Sequence, residues 1–180
     1  FERVSCAPRL QTEQQVRHLL TGARLETLPR MADCHFSLPS DPQRGITVVT
    51  GDIIELVDSG RLANLGVDAI VSLENTYLQL DSFFATSLSG KLRYLHAEKT
   101  AGGRLGDGLS GQLQAQVGAR QIVLPASPGT VIPTGTHRLA SRGVKAVFHV
   151  AGTQGAPGGG YSLSDDVIDD CVRGVFDVFA

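Results

Sequence analysis

An α/β fold built on a parallel or mixed sheet is predicted by three features of this 180-residue chain. Runs rich in Val, Ile and Ala at 46–50, 67–71, 122–124 and 144–151 mostly do not alternate with polar residues, which suits strands buried on both faces. Stretches with helical character lie between and after them. Two of the runs also deliver a polar residue at their C-terminal ends, within Gly51-Asp52-Ile53 after the first and Ser72-Leu73-Glu74-Asn75 after the second. In an open α/β sheet such strand ends face the ligand crevice.

Taken in order, residues 1–44 read as an N-terminal helical strap or linker. Thr12 with Gln15 three residues on fits a capping box, and Val16, Leu19 and Leu20 form a short apolar stripe. Pro29 ends that helix, and the segment 38–45 is a turn-rich joint. The main domain then spans 45–180. Helices are expected at about 83–99 and about 109–117, and a last one begins near Ser164, where Asp165 and Asp166 supply an acidic first turn. Val167, Ile168, Cys171, Val172, Val175 and Phe179 recur there at helical spacing. Two glycine-rich segments punctuate the order. The one at 101–108 joins two helical stretches and reads as a surface loop. The one at 155–160 lies between a strand and a helix, where successive backbone N–H groups can cradle an anion.

Composition narrows the function classes. A hydrophobic fraction of 42% and a charged fraction of 19% suit a folded chain. The net charge of −2 argues against a general grip on nucleic acid or an anionic membrane. Cys6, Cys34 and Cys171 are odd in number and far apart, which fits a reducing cytoplasm better than a disulfide framework. His18, His35, His96 and His137 share no metal-ligand spacing with one another or with the cysteines, so no metal or cofactor is expected. His149 sits inside an apolar strand and reads as a packed core histidine. Lys91, Arg93, Lys99 and Arg104 gather around one helix and its loop, as a solvated face or one that steers an anionic ligand.

Several of these segments together resemble the macro domain, the ADP-ribose-binding module. Gly51-Asp52-Ile53 is similar to that family's first signature, and the run from Val67 to Asn75 keeps half of its second, with Ser72 where the first Asn of Asn-Ala-Ala-Asn stands. Gly129-Thr-Val-Ile-Pro-Thr134-Gly135, Leu139 and the stretch from Gly143 to Gly152 supply a third, longer match. The resemblance covers roughly 46–180 and implies a three-layer α/β/α sandwich with a mixed sheet. A full member continues past the last helix, so the C-terminal part is expected to be missing here. The family's four glycines and catalytic aspartate are replaced by Leu80-Asp81-Ser82-Phe83-Phe84-Ala85-Thr86, in which Ala85 cannot take a proton.

The resemblance implies binding of ADP-ribose or a related NAD-derived nucleotide, as a sensor or reader domain of a longer, cytoplasmic and bacterial protein. Asp52 and Ile53 would hold the base, Asn75 a ribose, and Gly152, Gly155, Gly158, Gly159 and Gly160 the phosphates. Read from the residues alone, Asp52 is better taken as a cap for a helix beginning at Ile53, and Asn75 is equally a turn residue bonded to its own backbone. Two rival functions stay open: an ADP-ribosyl hydrolase using Asn75 and Asp81, and a scaffold that has lost its ligand. No catalytic residue is assigned. Leu80, Phe83 and Phe84 are expected to turn inward and fill the diphosphate cleft.

Overall fold

A computed structural model describes residues 34–38, 41–49, 51–99, 102–103, 105–155, 161–162 and 165–179. The chain divides into two compact units, 1–52 and 53–180. In the first, β1 (Cys34–Leu38) and β2 (Asp41–Val48) pair antiparallel, with Phe36 opposite Ile46 and the register slipping after Ser37. This corrects two expectations. The run at 46–50 contributes residues 46–48 to a local hairpin rather than to the larger sheet, and most of the turn-rich joint placed at 38–45 lies in the strands of that hairpin. A strand run flanked by a short turn-rich segment can pair with its chain neighbour at little loop-closure cost. The helix expected around 12–20 lies outside the described residues.

The second unit is mixed α/β. Two short helices, α1 (Ile53–Asp58) and α2 (Arg61–Asn64), lead into β3 (Ala69–Asn75). Then come α3 (Leu88–His96), the two-residue strands β4 (Glu98–Lys99) and β5 (Leu105–Gly106), and α4 (Gly108–Ala119). The order closes with β6 (Val131–Thr134), a 3-10 turn (His137–Arg142), β7 (Ala146–Gly155), β8 (Tyr161–Ser162) and α5 (Asp165–Phe179). The main sheet runs β3-β7-β6, with β3 and β7 parallel and β6 antiparallel to β7. A separate pairing of β4 with β5 brackets the exposed Gly102 and Gly103.

Successive side chains of β7 divide between the two sheet faces. Val147 joins Leu92, Leu109 and Leu139, and Ala151 joins Leu78, Leu113 and Ile132, on the face covered by α3 and α4. Phe148 and Val150 pack with Val131 and Cys171 on the face covered by α5. All of these residues are buried. Burying a side chain of this size stabilises by about 1.5–3 kcal/mol, so β7, covered on both faces, is the centre of the unit.

Capping explains where α3 begins. Residues 83–87 turn instead of joining the helix because the Ser87 hydroxyl accepts from the Gly90 N–H at 3.2 Å and starts the helix there. Asp107 caps α4 through Ser110 N–H at 3.4 Å. The strand expected at 122–124 is a loop, with Val123 82% exposed. That run is short and is followed by Pro125, which has no N–H for a ladder. The strand forms instead at 131–134, where Pro133 is tolerated on an edge strand.

Candidate functional site

The carboxyl ends of the parallel pair β3 and β7 carry three of the expected site residues, Asn75, Gly152 and Gly155. The register runs Leu73 opposite Val150, Glu74 opposite Ala151, then Asn75 opposite Thr153, so Gly152 is the extra residue of a bulge. The Thr76 N–H donates to the Thr153 carbonyl at 3.1 Å, and the Thr153 hydroxyl donates to the Glu74 carbonyl at 3.2 Å. The bulge is thereby stitched on both sides. Asn75 is half-buried, and its Oδ1 accepts from the N–H groups of Tyr77 at 3.0 Å and Gln79 at 3.2 Å. The side-chain oxygen holds the following turn, and the NH2 end is what Asn75 can offer a ligand.

Gly152 has a packing reason to be glycine. A Cβ there would run into the Leu73 side chain and sit 3.0 Å from Cys171 Sγ. Gly155 ends β7 opposite Tyr161. Gly158, Gly159 and Gly160 lie outside the described residues. Asp52 is half-buried at the end of the first unit, whereas Ile53 opens α1 and packs against the core of the second.

Beneath these strand ends runs a chain of buried polar groups that the sequence reading passed over. Glu74 and His149 have side chains only 1% and 0% exposed, and His149 Nδ1 lies 3.0 Å from Glu74 Oε1. The Ser89 hydroxyl donates to Glu74 Oε2 at 2.6 Å, so both carboxylate oxygens accept. Ser89 Oγ in turn accepts from the Asp81 N–H at 3.1 Å, and His149 Nε2 meets Thr134 Oγ1 at 3.0 Å. One line of hydrogen bonds thus ties β6, β7, β3 and α3 to the loop at 81. His149 is a satisfied core histidine, as its apolar surroundings suggested. Strand alternation was the available signal for Glu74: it shares the inward face with Ile70 and Ser72.

The loop that replaces the family glycines is held by its own side chains. Asp81 Oδ1 accepts from the Ser82 N–H at 2.9 Å and Oδ2 from the Ser87 hydroxyl at 2.7 Å. Arg93 donates to the Asp81 carbonyl at 2.8 Å, forks onto the Asp107 carboxylate, and sets its guanidinium 4.5 Å from the centre of the Phe83 ring. Arg93 is therefore a clamp, 22% exposed, and no part of a solvated face. Leu80 packs inward as expected, but Phe84 is 83% exposed. The contact of Gly90 with Ser82 and Ala85 and the cap at Ser87 hold this turn tightly against α3, leaving Phe84 pointing out.

With this geometry in place, the chain was compared with known proteins. No protein-family model matches it, and a search of curated proteins finds no match. Among the described residues, no group of three or more His, Cys, Asp or Glu side chains could hold a metal ion, and no helix is long and apolar enough to cross a membrane.

A second histidine is buried at the far end of α3. His96 Nδ1 donates to the Leu92 carbonyl at 2.7 Å, while Nε2 has no partner among the described residues. Burial pushes the His96 pKa below its ordinary 6.5, an effect that outweighs the Leu92 carbonyl, which acts the other way. The unfolded chain therefore takes up a proton on acidification before the folded one does, and stability falls as the pH drops below 6.5. Thermal melts between pH 7.5 and 5.5 should show a declining Tm whose slope is reduced in His96→Gln. An unchanged slope in that variant would remove His96 as a source.

Proposed function

We propose that this chain recognises ADP-ribose or a related NAD-derived nucleotide as a sensor or reader domain of a larger protein. The observation that carries the reading is the pairing of Asn75 beside Thr153 across the Gly152 bulge, at the carboxyl ends of adjacent parallel strands. That is where open α/β sheets place ligands. Macro-type architecture is the finer form of the α/β fold under this reading, and the mixed sheet with helices packed on both faces supports it. Asp52 and Ile53 are assigned to the base, Asn75 to a ribose, and the glycines from Gly152 to Gly160 to the phosphates. A cytoplasmic setting accords with Cys171, a buried free thiol.

Binding without turnover is the expected behaviour. Both carboxylate oxygens of Asp81 already accept hydrogen bonds within their own loop, and Ala85 has no group to move a proton. Calorimetric titration with ADP-ribose tests the reading. Asp52→Ala and Asn75→Ala should each weaken binding, the first by about 1.5–3 kcal/mol, the range for a hydrogen bond to a charged group. Parent protein that takes up no ADP-ribose, or folded variants that bind as well as the parent, would overturn the assignment. Release of free ADP-ribose from a modified protein would favour the hydrolase instead.

A further inference from the structure

We propose a second ligand site, for a small organic anion with an apolar body, in the groove between α1, the C-terminal half of α3 and the 3-10 turn. The groove has a volume of about 660 Å³, within the range of small-molecule sites. Apolar side chains form part of its floor: Ile54, Leu95 and Leu105 are half-buried there, over the buried Val57 and Leu139. Its rim carries Arg138 and Arg142 from the 3-10 turn, with Asp58 contributed by α1. It shares no residue with the strand ends around Asn75 and Gly152, and it meets the residues assigned to the base only where Ile54 follows Ile53.

The charges select the ligand. Arg93 is committed to Asp107 and Lys145 to Asp68, whereas Arg138 and Arg142 enter no ion pair among the described residues. Two guanidinium groups on one short turn, bordering an apolar floor, can engage an oxyanion through fork geometry while the floor takes up a hydrocarbon or aryl body. Asp58 repels negative charge from its own side of the groove and so sets the polarity, with the anionic end at the 3-10 turn. An inorganic anion would leave the floor wet, and a neutral apolar molecule would leave both arginines unanswered. An aryl or alkyl carboxylate meets both requirements.

The probe is 4-phenylbutyrate, with 4-phenylbutan-1-ol as its neutral counterpart, titrated into the full 180-residue chain and followed by amide chemical shifts. Saturable shifts are expected at 54–58, 94–97 and 138–142, with the acid bound about tenfold more tightly than the alcohol. Arg138→Gln with Arg142→Gln should bring the acid to the level of the alcohol, while Arg120→Gln, just past the end of α4, leaves it unchanged. Saturating ADP-ribose should not displace the acid. Equal affinities for acid and alcohol, the absence of saturable shifts, shifts confined to other surfaces, or displacement by ADP-ribose would each overturn the proposal. The acid-to-alcohol comparison on the parent decides the matter even if the double variant does not fold.

Discussion

Glu74→Ala is expected to be the most damaging single substitution in the second unit, costing about 2–6 kcal/mol, from about 1–3 kcal/mol for each of the two buried polar groups it leaves without an acceptor. The carboxylate is the acceptor for two groups that are themselves buried, His149 Nδ1 and the Ser89 hydroxyl. Removing it leaves both of these buried groups without that acceptor. Ser89 also anchors the Asp81 N–H, so the disturbance extends into the loop before α3. Against a typical stability of about 5–15 kcal/mol, such a loss leaves the fold marginal. Urea unfolding followed by circular dichroism measures it. Glu74→Gln keeps an acceptor for one neighbour and should cost distinctly less. An alanine variant unfolding at the parent's midpoint would show that the line of hydrogen bonds adds nothing to stability.

The second large effect is expected at Gly174, in the middle of α5. By helix propensity alone, Gly174→Ala would stabilise by about 0.5–1 kcal/mol. The position forbids it. An added Cβ would run into the carbonyl of Gly129 and stand 3.1 Å from Val131 Cγ2, and a backbone oxygen cannot swing aside as a side chain can. Gly129 is itself fixed, with its N–H donating to the Ala151 carbonyl at 2.8 Å and a φ of +82°. Overpacking of this kind costs about 1–3 kcal/mol, so the net change should be destabilising. Gly111→Ala on α4 is the matched control. Nothing lies within 4 Å of its added Cβ, and the same substitution there should raise the melting temperature. If both variants shift the same way, the close approach of α5 to the 129–131 segment is not what determines Gly174.

What could be read from the sequence depended on how local the deciding interaction was. The apolar run before Asn75, the one containing His149 and the helical spacing from Val167 onward each identified an element, because burial patterns are written along a single segment. The strand at 131–134 carries no clear signal in the sequence, because a proline inside a strand counts against it unless the strand is known to lie at an edge. Edge position is a property of the assembled sheet. Phe84 was misplaced for a similar reason: apolar character says that a side chain gains from burial, not whether its turn points inward. In the candidate site, Asn75 and Gly152 could be named singly from the resemblance, but their adjacency appears only with the parallel register. Glu74 was missed altogether. A lone carboxylate between Leu73 and Asn75 looks like a solvent contact until His149, far along the chain, is laid beside it.

That same separation governs how the protein is made. Strand β3 is synthesised well before β7, the strand that pairs with it, because Ala69 lies opposite Ala146. At ribosomal speeds the interval is on the order of several seconds. During it, α3 and α4 can form from local contacts, yet the β7 side of β3 is open and Glu74 has no histidine to meet. The nascent chain therefore passes through a stage in which Val71 and Leu73 sit on an unpaired, largely apolar strand, the kind of segment that chaperones hold and stray strands capture. Completion of β7 ends that stage by pairing the strand and bringing His149 to the Glu74 side chain.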